Sequence, residues 1–542
     1  MLIHILLACV VLASVIIVNV LKQLCLRRKD QPPLVIHWIP HFGNAISYGI
    51  NPYRFLADSR KRHGDIFTFR LFHLRITAYL GTSGNAFILN GSHSSLNAED
   101  VYSPLTTPVF GKDVVYDCPN AKLMEQKKFI KFGLTSKALS RHVRVIEREV
   151  LGYITTSTAF GFRAKTDDKK ETASGLGGEH GLKSSSGVME ITKAMAELTI
   201  FTAGRALQGA EVRQKLTGEM AELYHDLDGG FQPVNFLMPW LPLPANRRRD
   251  RAHGRMRAVY ENIIATRRKK MQMGRACGTV EKENLFEEGE EGEEMDMIAN
   301  LMQSHYKDGS PLPDHEIAHI MITLLMAGQH SSSSAASWIM LRLASRPDIQ
   351  NALYAERLHN LGSSDASPLS PLQYEHLDTL SLLQAVIKET LRLHPSISSI
   401  MRKVTQPMRV RANGQEYVVD KDNVMLASPI VTALSSLHFA DPEKWDPYRW
   451  LNNPSFADYT DVDVSVSKGA NSPYLPFGAG RHRCIGEKFA YVNLGVIVAT
   501  LIREFEWSMA NGETGVPETD YQSLFARPKA PAMLRWRRRA VV

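Results

Sequence analysis

The chain has 542 residues, of which 44% are hydrophobic and 22% charged, a balance that excludes a disordered or fibrous protein. Its net charge of +8 favours work beside an anionic membrane or an acidic partner, and its basic residues do not form the aromatic-interleaved stripe of a nucleic-acid binder. The cysteines are widely spaced, which excludes a zinc motif and a disulfide framework and indicates a reducing compartment. They are Cys9, Cys25, Cys118, Cys277 and Cys484.

The chain begins with an apolar run, Leu2–Leu21, which is followed by Lys22, Arg27, Arg28 and Lys29. About 20 apolar residues at ~1.5 Å each suffice to span the hydrocarbon core of a bilayer. Because the basic residues follow the run, the positive-inside rule places the rest of the chain on the cytosolic side. A cleaved signal peptide is the alternative, but it requires a basic start and a small-residue cleavage site. We therefore predict a single-pass anchor over residues 1–21, in the endoplasmic reticulum membrane.

The segment after the anchor is predicted to be a hinge followed by strands. Residues 22–45 are basic and rich in proline, which is typical of a stiff connection. Two runs rich in β-branched and aromatic residues, 65–71 and 74–80, predict paired strands. Further on, prolines between Val101 and Leu139 predict loops, and these lead into a lysine-rich helix.

Two polar stretches, at about 163–186 and 274–294, predict disordered surface insertions. Helical patterns lie between them, and the basic cluster Arg247–Arg249 there is a candidate to face lipid headgroups. Apart from these insertions, residues 46–542 are predicted to form a single domain.

A long helix is predicted from Asp314, as its N-cap, to about Leu343, and it is apolar nearly all round, which indicates a helix within the core. A second helix is predicted over Leu380–Arg392. Asn413-Gly414 between two alternating segments predicts a β-hairpin. The fold class predicted from these elements is mainly α with small β-sheets.

The stretch Phe477–Gly486, FGAGRHRCIG, places one cysteine in a glycine-rich loop before a predicted helix. The helix dipole and the neighbouring cations favour a thiolate at Cys484, and the glycines let the backbone close around a large flat ligand. Such a cysteine suits a metal that is bound through the face of an anionic macrocycle. The alternative is a small buried apolar residue, which is what a lone cysteine most often is.

Two other patterns carry chemistry. Glu389 and Arg392 share one face of a predicted helix, and Arg449 lies in a turn rich in aromatic residues. The apolar context favours a buried charge network, and the alternative is an exposed ion pair. Gly328 costs its helix about 1 kcal/mol relative to alanine, which favours close approach of a ligand to the backbone. His330 and Ser331 could then relay protons, or they are a core histidine and a helix-interior serine.

The cysteine loop, the ETLR segment at Glu389–Arg392 and Arg449 together resemble the cytochrome P-450 family. The resemblance implies the fold of that family, with a long central helix and a buried haem b whose iron takes Cys484 as axial ligand. It implies a monooxygenase that uses O2 and electrons from NADPH through NADPH-cytochrome P-450 reductase, with Lys128, Lys131 and Lys488 as cationic docking candidates. The Glu-Arg-Arg set would have a structural role, and the chain would be a monomer.

MAGQHSSSS at 326–334 and PLTTPVFGKDVVYDCPN at 104–120 resemble the fungal sterol 14α-demethylase branch of that family. The branch removes the 14α-methyl group of lanosterol or 24-methylenedihydrolanosterol in three oxidations, releasing formate, in ergosterol biosynthesis, and it is an azole target. Two alternatives remain. One is a P-450 that acts on another lipid or a xenobiotic, and the other is a sterol-binding paralogue of low activity.

The same resemblance implies roles for individual residues. His330 and Ser331 would be catalytic, in proton delivery. The cofactor-binding residues would be Cys484, Gly328, Phe477 and the propionate contacts Tyr102, Tyr116, Lys127, Arg402 and His482. The substrate channel would be lined by Phe110, Tyr116, Phe231, Leu524, Phe525 and Ser398. Ser398 stands where the branch commonly has histidine, which puts sterol affinity in question.

Overall fold

Helices form most of the chain in the computed structural model, as the sequence predicts. The structure describes residues 2–25, 28–40, 42–161, 185–216, 218–276, 296–362, 371–451, 469–510, 512 and 515–539. Most of both predicted insertions therefore lies outside the described residues.

The helices are α1 Leu2–Cys25, α2 Ala45–Ile50, α3 Pro52–His63, α4 Gly81–Leu89, α5 Glu99–Phe110, α6 Asn120–Lys131, α7 Ser136–Thr156, α8 Ile191–Ala203, α9 Ala210–Lys215, α10 Gly218–Asp228, α11 Pro233–Leu237, α12 Pro244–Ala276, α13 Met297–Gln303, α14 Asp314–Ala344, α15 Pro347–Leu361, α16 His376–Thr379, α17 Ser381–Leu393, α18 Pro429–Ala433 and α19 Glu487–Glu504.

The strands are β1 Ile66–Leu71, β2 Leu74–Tyr79, β3 Leu96–Asn97, β4 Ser186–Glu190, β5 Ile400–Val404, β6 Met408–Ala412, β7 Gln415–Val419, β8 Val424–Ala427, β9 Phe505–Met509, β10 Thr519–Asp520, β11 Arg527–Pro528 and β12 Met533–Arg538. Among the described residues the largest sheet has five strands in the order β1-β2-β8-β5-β3, and β4-β12-β9, β10-β11 and β6-β7 form smaller sheets. The predicted pairing of the first two strands is confirmed as antiparallel, with Ile66 opposite Tyr79.

The central helix α14 organises the core. It has 31 residues, and its apolar side chains are buried on almost every side, as the sequence predicts. It packs against α8, α12, α17 and α19. The prediction that Asp314 is its N-cap is wrong by one residue, because Pro313 occupies the cap and the Asp314 carboxylate instead accepts Arg268 Nε at 2.9 Å. The charge of Asp314 still stabilises the first turn through the helix dipole.

The prediction of loops around Pro104 and Pro108 is wrong, because α5 runs through both prolines. Each proline removes one backbone donor from the helix, which by itself favours a break. The helix persists because Val101, Leu105 and Val109, four residues apart along one face, are all buried in the core. Packing of that face therefore outweighs the local preference of the prolines.

The predicted hairpin of β6 and β7 is confirmed, with Asn413 and Gly414 at φ values of 52° and 76°. Both positive angles are those of a two-residue hairpin turn, which asparagine and glycine tolerate best. The basic cluster Arg247–Arg249, in contrast, does not present a uniform surface. Arg249 is buried and donates to Asp250 at 2.8 Å, so its predicted orientation toward lipid is wrong.

Helix α1 has 24 residues and includes the predicted anchor. Its final turns are attached to the segment before α2, since Asn19 Nδ2 and Gln23 Nε2 donate to the carbonyl oxygen of His37 at 3.0 and 2.8 Å. Within the described part of the chain, no helix combines the length and the hydropathy required of a membrane span.

Candidate active site

The cysteine loop is held by a short backbone contact at the start of α19. Cys484 N–H donates to the carbonyl oxygen of Phe477 at 3.0 Å, which closes the loop. Gly480 has a φ of +68°, and a Cβ there would lie 2.2 Å from the carbonyl oxygen of Leu89. The close contact of Gly480 is therefore with the end of α4, so this glycine is required for packing of the loop onto its neighbour.

Burial dominates the electrostatics of the Cys484 thiol. Burial raises the pKa of the thiol, whereas the Gly486 backbone, Lys127 and Arg483 lower it to a smaller extent. The effect of Arg483 is reduced because its guanidinium pairs with Glu487 at 2.8 Å. A bound metal ion, rather than these cations, is what would keep this sulfur deprotonated.

Cys484 also combines burial with accessibility. It is surrounded closely enough for burial to raise its pKa, yet its surface is exposed. Both properties suit a residue whose sulfur faces an interior space large enough for a ligand. Cys118, in contrast, is a free cysteine that is simply buried.

Residues predicted to bind propionates converge near this cysteine. The rings of Tyr102 and Tyr116 lie 5.0 Å apart, and Tyr116 lies 5.7 Å from the imidazole of His482. Tyr102 Oη accepts Met401 N–H at 2.9 Å, and the buried Arg402 Nη1 donates to the Met401 carbonyl at 2.7 Å. Hydroxyl, guanidinium and imidazole groups from separate elements are thus brought to one place.

This cluster carries an excess of positive charge. Burial, followed by Arg402, Lys127 and Arg481, lowers the pKa of His482 to about 3, so its imidazole is neutral near pH 7. Glu99, whose carboxylate lies 3.8 Å from His482, supplies one negative charge. Buried cations without matching anions are costly unless an acidic ligand pairs with them.

Lys127 lies against the loop itself. Its Nζ donates to the carbonyl oxygens of Arg481 and Arg483 at 2.9 and 3.4 Å. Burial lowers the pKa of the ammonium, and the neighbouring Cys484 raises it. The structure therefore places this lysine in contact with the backbone of the cysteine loop, in addition to the charge it contributes to the cluster.

One face of α14 is open where the rest of the helix is buried. Ala327 is exposed although Met326 is fully buried, and a Cβ built on Gly328 would meet no other segment of the described chain within 4 Å. Ser331, one turn further on, donates its Oγ to the Ala327 carbonyl at 2.9 Å. An accessible thiol, a smooth helix face and an acid-binding cluster fit a haem with its two propionates.

His330 faces a different direction from Ser331. Its Nε2 lies 3.3 Å from a carboxylate oxygen of Asp228, and its ring stacks on Phe525 at 5.2 Å. Burial lowers the pKa of His330, while Asp228 raises it. Asp228 is a functional candidate that the sequence interpretation missed, and its position three residues before Phe231 is the signal that could have indicated it.

The predicted substrate-lining aromatic residues form one cluster next to His330. Phe231 lies 5.6 Å from Phe110 and 5.4 Å from Phe525, and the N–H of Leu524 donates to the Phe231 carbonyl at 3.5 Å. The structure therefore brings together residues that are distant in sequence into an apolar wall.

Tyr116 and Ser398, which are also predicted to line the channel, make their described contacts outside the aromatic cluster. The ring of Tyr116 packs at a tilt against the rings of Tyr102 and His482. The Ser398 carbonyl oxygen accepts Ser428 Oγ at 2.9 Å. The part of the residue that makes this contact is its backbone, so the contact does not depend on serine at position 398.

Glu389 and Arg392 of the predicted Glu-Arg-Arg network are fully buried, and Arg449 is half-buried beside them. Arg392 makes two bonds to the carboxylate of Glu389, at 2.9 and 2.8 Å, and Arg449 Nε adds another at 2.9 Å. Trp450 Nε1 and the Asp446 N–H also donate to Glu389, each at 2.9 Å. The network joins α17 to the segment that precedes the cysteine loop, which agrees with a structural role.

The fold and this arrangement around a lone cysteine define the class of haem-thiolate proteins. The chain belongs to the cytochrome P450 family, since the model of that family matches residues 32–536. It is accordingly an oxidoreductase of the monooxygenase type, and the family implies haem, O2 and electrons from a redox partner.

The chain is similar over nearly its full length to fungal enzymes. It is 56% identical to sterol 14-alpha demethylase of Aspergillus flavus, covering 97% of this chain and 95% of the relative. It is 57% identical to the sterol 14-alpha demethylase CYP51A of Gibberella zeae, covering 98% and 97%. It is 51% identical to the eburicol 14-alpha-demethylase of Penicillium italicum, covering 96% and 94%.

A solved structure supports the fold independently. The retinoic acid-bound cyanobacterial CYP120A1 matches with a TM-score of 0.70, covering 95% of this chain and 100% of that chain at 20% identity. At that level of identity the match concerns the fold alone.

Proposed function

We propose that this protein removes the 14α-methyl group of lanosterol or 24-methylenedihydrolanosterol in three oxidative steps. The observation that carries the proposal is the aromatic cluster of Phe110, Phe231 and Phe525 built against His330. Flat aromatic walls suit the fused rings of a sterol, and a polar group beside them suits chemistry at one carbon. The names of the fungal relatives support this assignment.

The residues around the cysteine would hold haem b. Cys484 would ligate the iron, and Tyr102, Tyr116, Lys127, Arg402 and His482 would bond the propionates, with Phe477 closing the loop and Gly328 leaving room at the helix face. When bound, a haem with a thiolate ligand supplies the activation of dioxygen. The protein's own contribution is orientation of the substrate and exclusion of water by the aromatic wall.

Proton supply is assigned to His330 and Asp228. The carboxylate beside the imidazole favours its charged form, which a buried histidine otherwise resists. Burial leaves the pKa of His330 lowered overall, and Asp228 offsets part of that shift, so the imidazole can take up a proton and release it beside the substrate wall. Ser331 presents a hydroxyl on the adjacent open face. The placement of the two residues on either side of one helix turn supports these roles.

Replacing Asp228 with asparagine is expected to shift the pH dependence of coupling between oxygen consumption and product. Asp228 raises the pKa of His330, so its removal lowers that pKa further. The protonated form is lost as pH rises through the pKa, and the variant should therefore lose coupling at lower pH than the wild type. Product per O2 measured across pH checks this.

The matched control is Asp226→Asn on the same helix, because Asp226 pairs with the exposed Arg248 at 3.4 Å. Its coupling profile should superimpose on that of the wild type. A profile of Asp228→Asn that also superimposes on the wild type would remove His330 from proton delivery.

Electrons are proposed to come from NADPH through an acidic reductase that docks on the cysteine side. Helix α6 supports this assignment, because Lys127 contacts the cysteine loop while Lys128 and Lys131 of the same helix are exposed. Exposed cations beside the cofactor attract an acidic partner and steer its approach. Increasing salt should accordingly slow electron transfer.

We propose that the protein is bound to the endoplasmic reticulum membrane by α1, with its other helices and sheets on the cytosolic side. Helix α1 exposes Ile3, Leu6, Leu7, Val10, Val11, Val15, Ile17, Val18, Leu21 and Leu24. Near its attachment point the chain exposes Trp38, Ile39, Phe42, Ile46 and Ile50 as well. So many exposed apolar side chains, with a tryptophan among them, favour a lipid environment.

Titration with sterols tests the substrate assignment directly. Lanosterol and 24-methylenedihydrolanosterol should each shift the haem spectrum of the purified protein in a saturable manner. A fatty acid and a xenobiotic serve as comparison ligands and should give weaker shifts. Absence of a shift at saturating sterol, with a shift from either comparison ligand, would assign the protein to another substrate.

A further inference from the structure

The serine run Ser331–Ser334 in α14 contains one member that bonds outside the helix. Ser331 Oγ donates to the Ala327 carbonyl and Ser333 Oγ donates to the His330 carbonyl, at 2.9 and 3.3 Å, so both satisfy themselves within the helix. Ser334 is buried, and its Oγ donates instead to the carbonyl oxygen of Ala526 at 2.7 Å. This hydroxyl therefore connects the central helix to a distant segment of the chain.

The bonded segment is fixed from its other side as well. Ala526 N–H donates to the Ser396 carbonyl at 2.9 Å, and Ser396 Oγ donates to the Ser331 carbonyl at 3.4 Å. Both polar backbone groups of Ala526 are thus hydrogen-bonded, and Ser396, which accepts the Ala526 N–H, is itself bonded to α14. The result is a closed circuit of hydrogen bonds among three segments.

The residues next to Ala526 belong to the substrate wall. Leu524 N–H donates to the Phe231 carbonyl at 3.5 Å, and the Phe525 ring stacks on His330 at 5.2 Å with an interplanar angle of 21°. His330 lies one helical turn before Ser334, so both contacts of this segment are made with the same short stretch of α14. The bond from Ser334 therefore helps to set where Phe525 lies against His330.

We propose that Ser334 is a positioning residue that determines how tightly the wall formed by Leu524 and Phe525 closes on the substrate. This inference rests on the proposed function, in which that wall receives a sterol. A hydroxyl is needed at this position because the Ala526 carbonyl faces the helix and loses its donor without one.

Hydrogen exchange in the resting enzyme tests the positioning role of Ser334 without turnover. In Ser334→Ala, the amides of Leu524 and Ala526 should exchange about tenfold faster than in the wild type, because one hydrogen bond of the circuit is lost. Ser334→Thr keeps the hydroxyl and should restore wild-type exchange. Ser337→Ala is the matched control, since Ser337 is equally buried but donates to the Ser333 carbonyl of its own helix at 2.7 Å.

Steady-state kinetics of the reductase-coupled enzyme provides the second measurement. Ser334→Ala should raise the KM for sterol by about tenfold and lower kcat by less, because a looser wall weakens substrate binding. Wild-type exchange at Leu524 and Ala526 in Ser334→Ala, or equal acceleration in Ser337→Ala, would overturn the inference. If the wild type does not turn over sterol, the proposed function fails. The exchange measurement still decides whether Ser334 positions the segment of Leu524 and Phe525.

Discussion

Replacing Cys484 with alanine is expected to abolish the red-shifted carbon monoxide band of the reduced protein. The band requires a thiolate bound to the iron, and among the cysteines whose side chains the structure describes Cys484 combines an interior position with an accessible surface. Loss of the band should be complete rather than partial, because alanine offers no ligand. The measurement is the difference spectrum of the dithionite-reduced protein with and without carbon monoxide.

Cys118→Ala provides the control for this substitution. Cys118 is buried against the Val115 carbonyl at 3.6 Å, and burial raises the pKa of its thiol to about 12, so it is an inert packing residue. This variant should retain the full band. Survival of the band in Cys484→Ala would show that another group ligates the iron.

Replacing Glu389 with glutamine is expected to destabilise the protein by about 3–5 kcal/mol, the usual cost of leaving a buried charge without its partner. Glu389 is fully buried and accepts bonds from Arg392 and Arg449, so the neutral amide leaves two guanidinium groups without a counter-charge. Urea unfolding of the full chain, followed by tryptophan fluorescence, measures the loss. Haem content should fall in parallel, because the network supports the segment that leads to the cysteine loop.

The same chemical change at an exposed ion pair serves as the comparison. Glu416 pairs with Arg409 at 2.8 Å on the β6–β7 hairpin, and both side chains are largely exposed. Glu416→Gln should cost at most about 1 kcal/mol, because solvent screens the pair. Equal destabilisation by the two substitutions would contradict the assignment of Glu389 as the centre of a buried network.

Local sequence signals were sufficient for several elements of the fold. The alternation in β1 and β2, the Asn413-Gly414 turn and the apolar surface of α14 each specify their structure within a few residues. Helix α5 was not predictable in this way. Its two prolines argue for loops, and the burial of its apolar face that overrides them is made by residues remote in sequence.

In the candidate site, too, features within one short stretch are predictable from the sequence and contacts between distant segments are not. The cysteine loop and the ETLR segment are recognisable from the sequence, because the functional residues of each lie within one short stretch. The pairing of Asp228 with His330 and the bond from Ser334 to Ala526 depend on contacts between distant segments, which one sequence does not reveal. The pKa of the Cys484 thiol depends on distant segments in the same way, because burial by surrounding elements outweighs the adjacent cations.

The central claim is that this enzyme demethylates a 14α-methyl sterol. The most direct test combines the purified protein with a reductase, NADPH and lanosterol or 24-methylenedihydrolanosterol, and quantifies formate and the demethylated sterol. We expect the two products to appear in equal amounts. A protein that gives the sterol-induced spectral shift but releases no formate would contradict the claim and would instead be a sterol-binding paralogue.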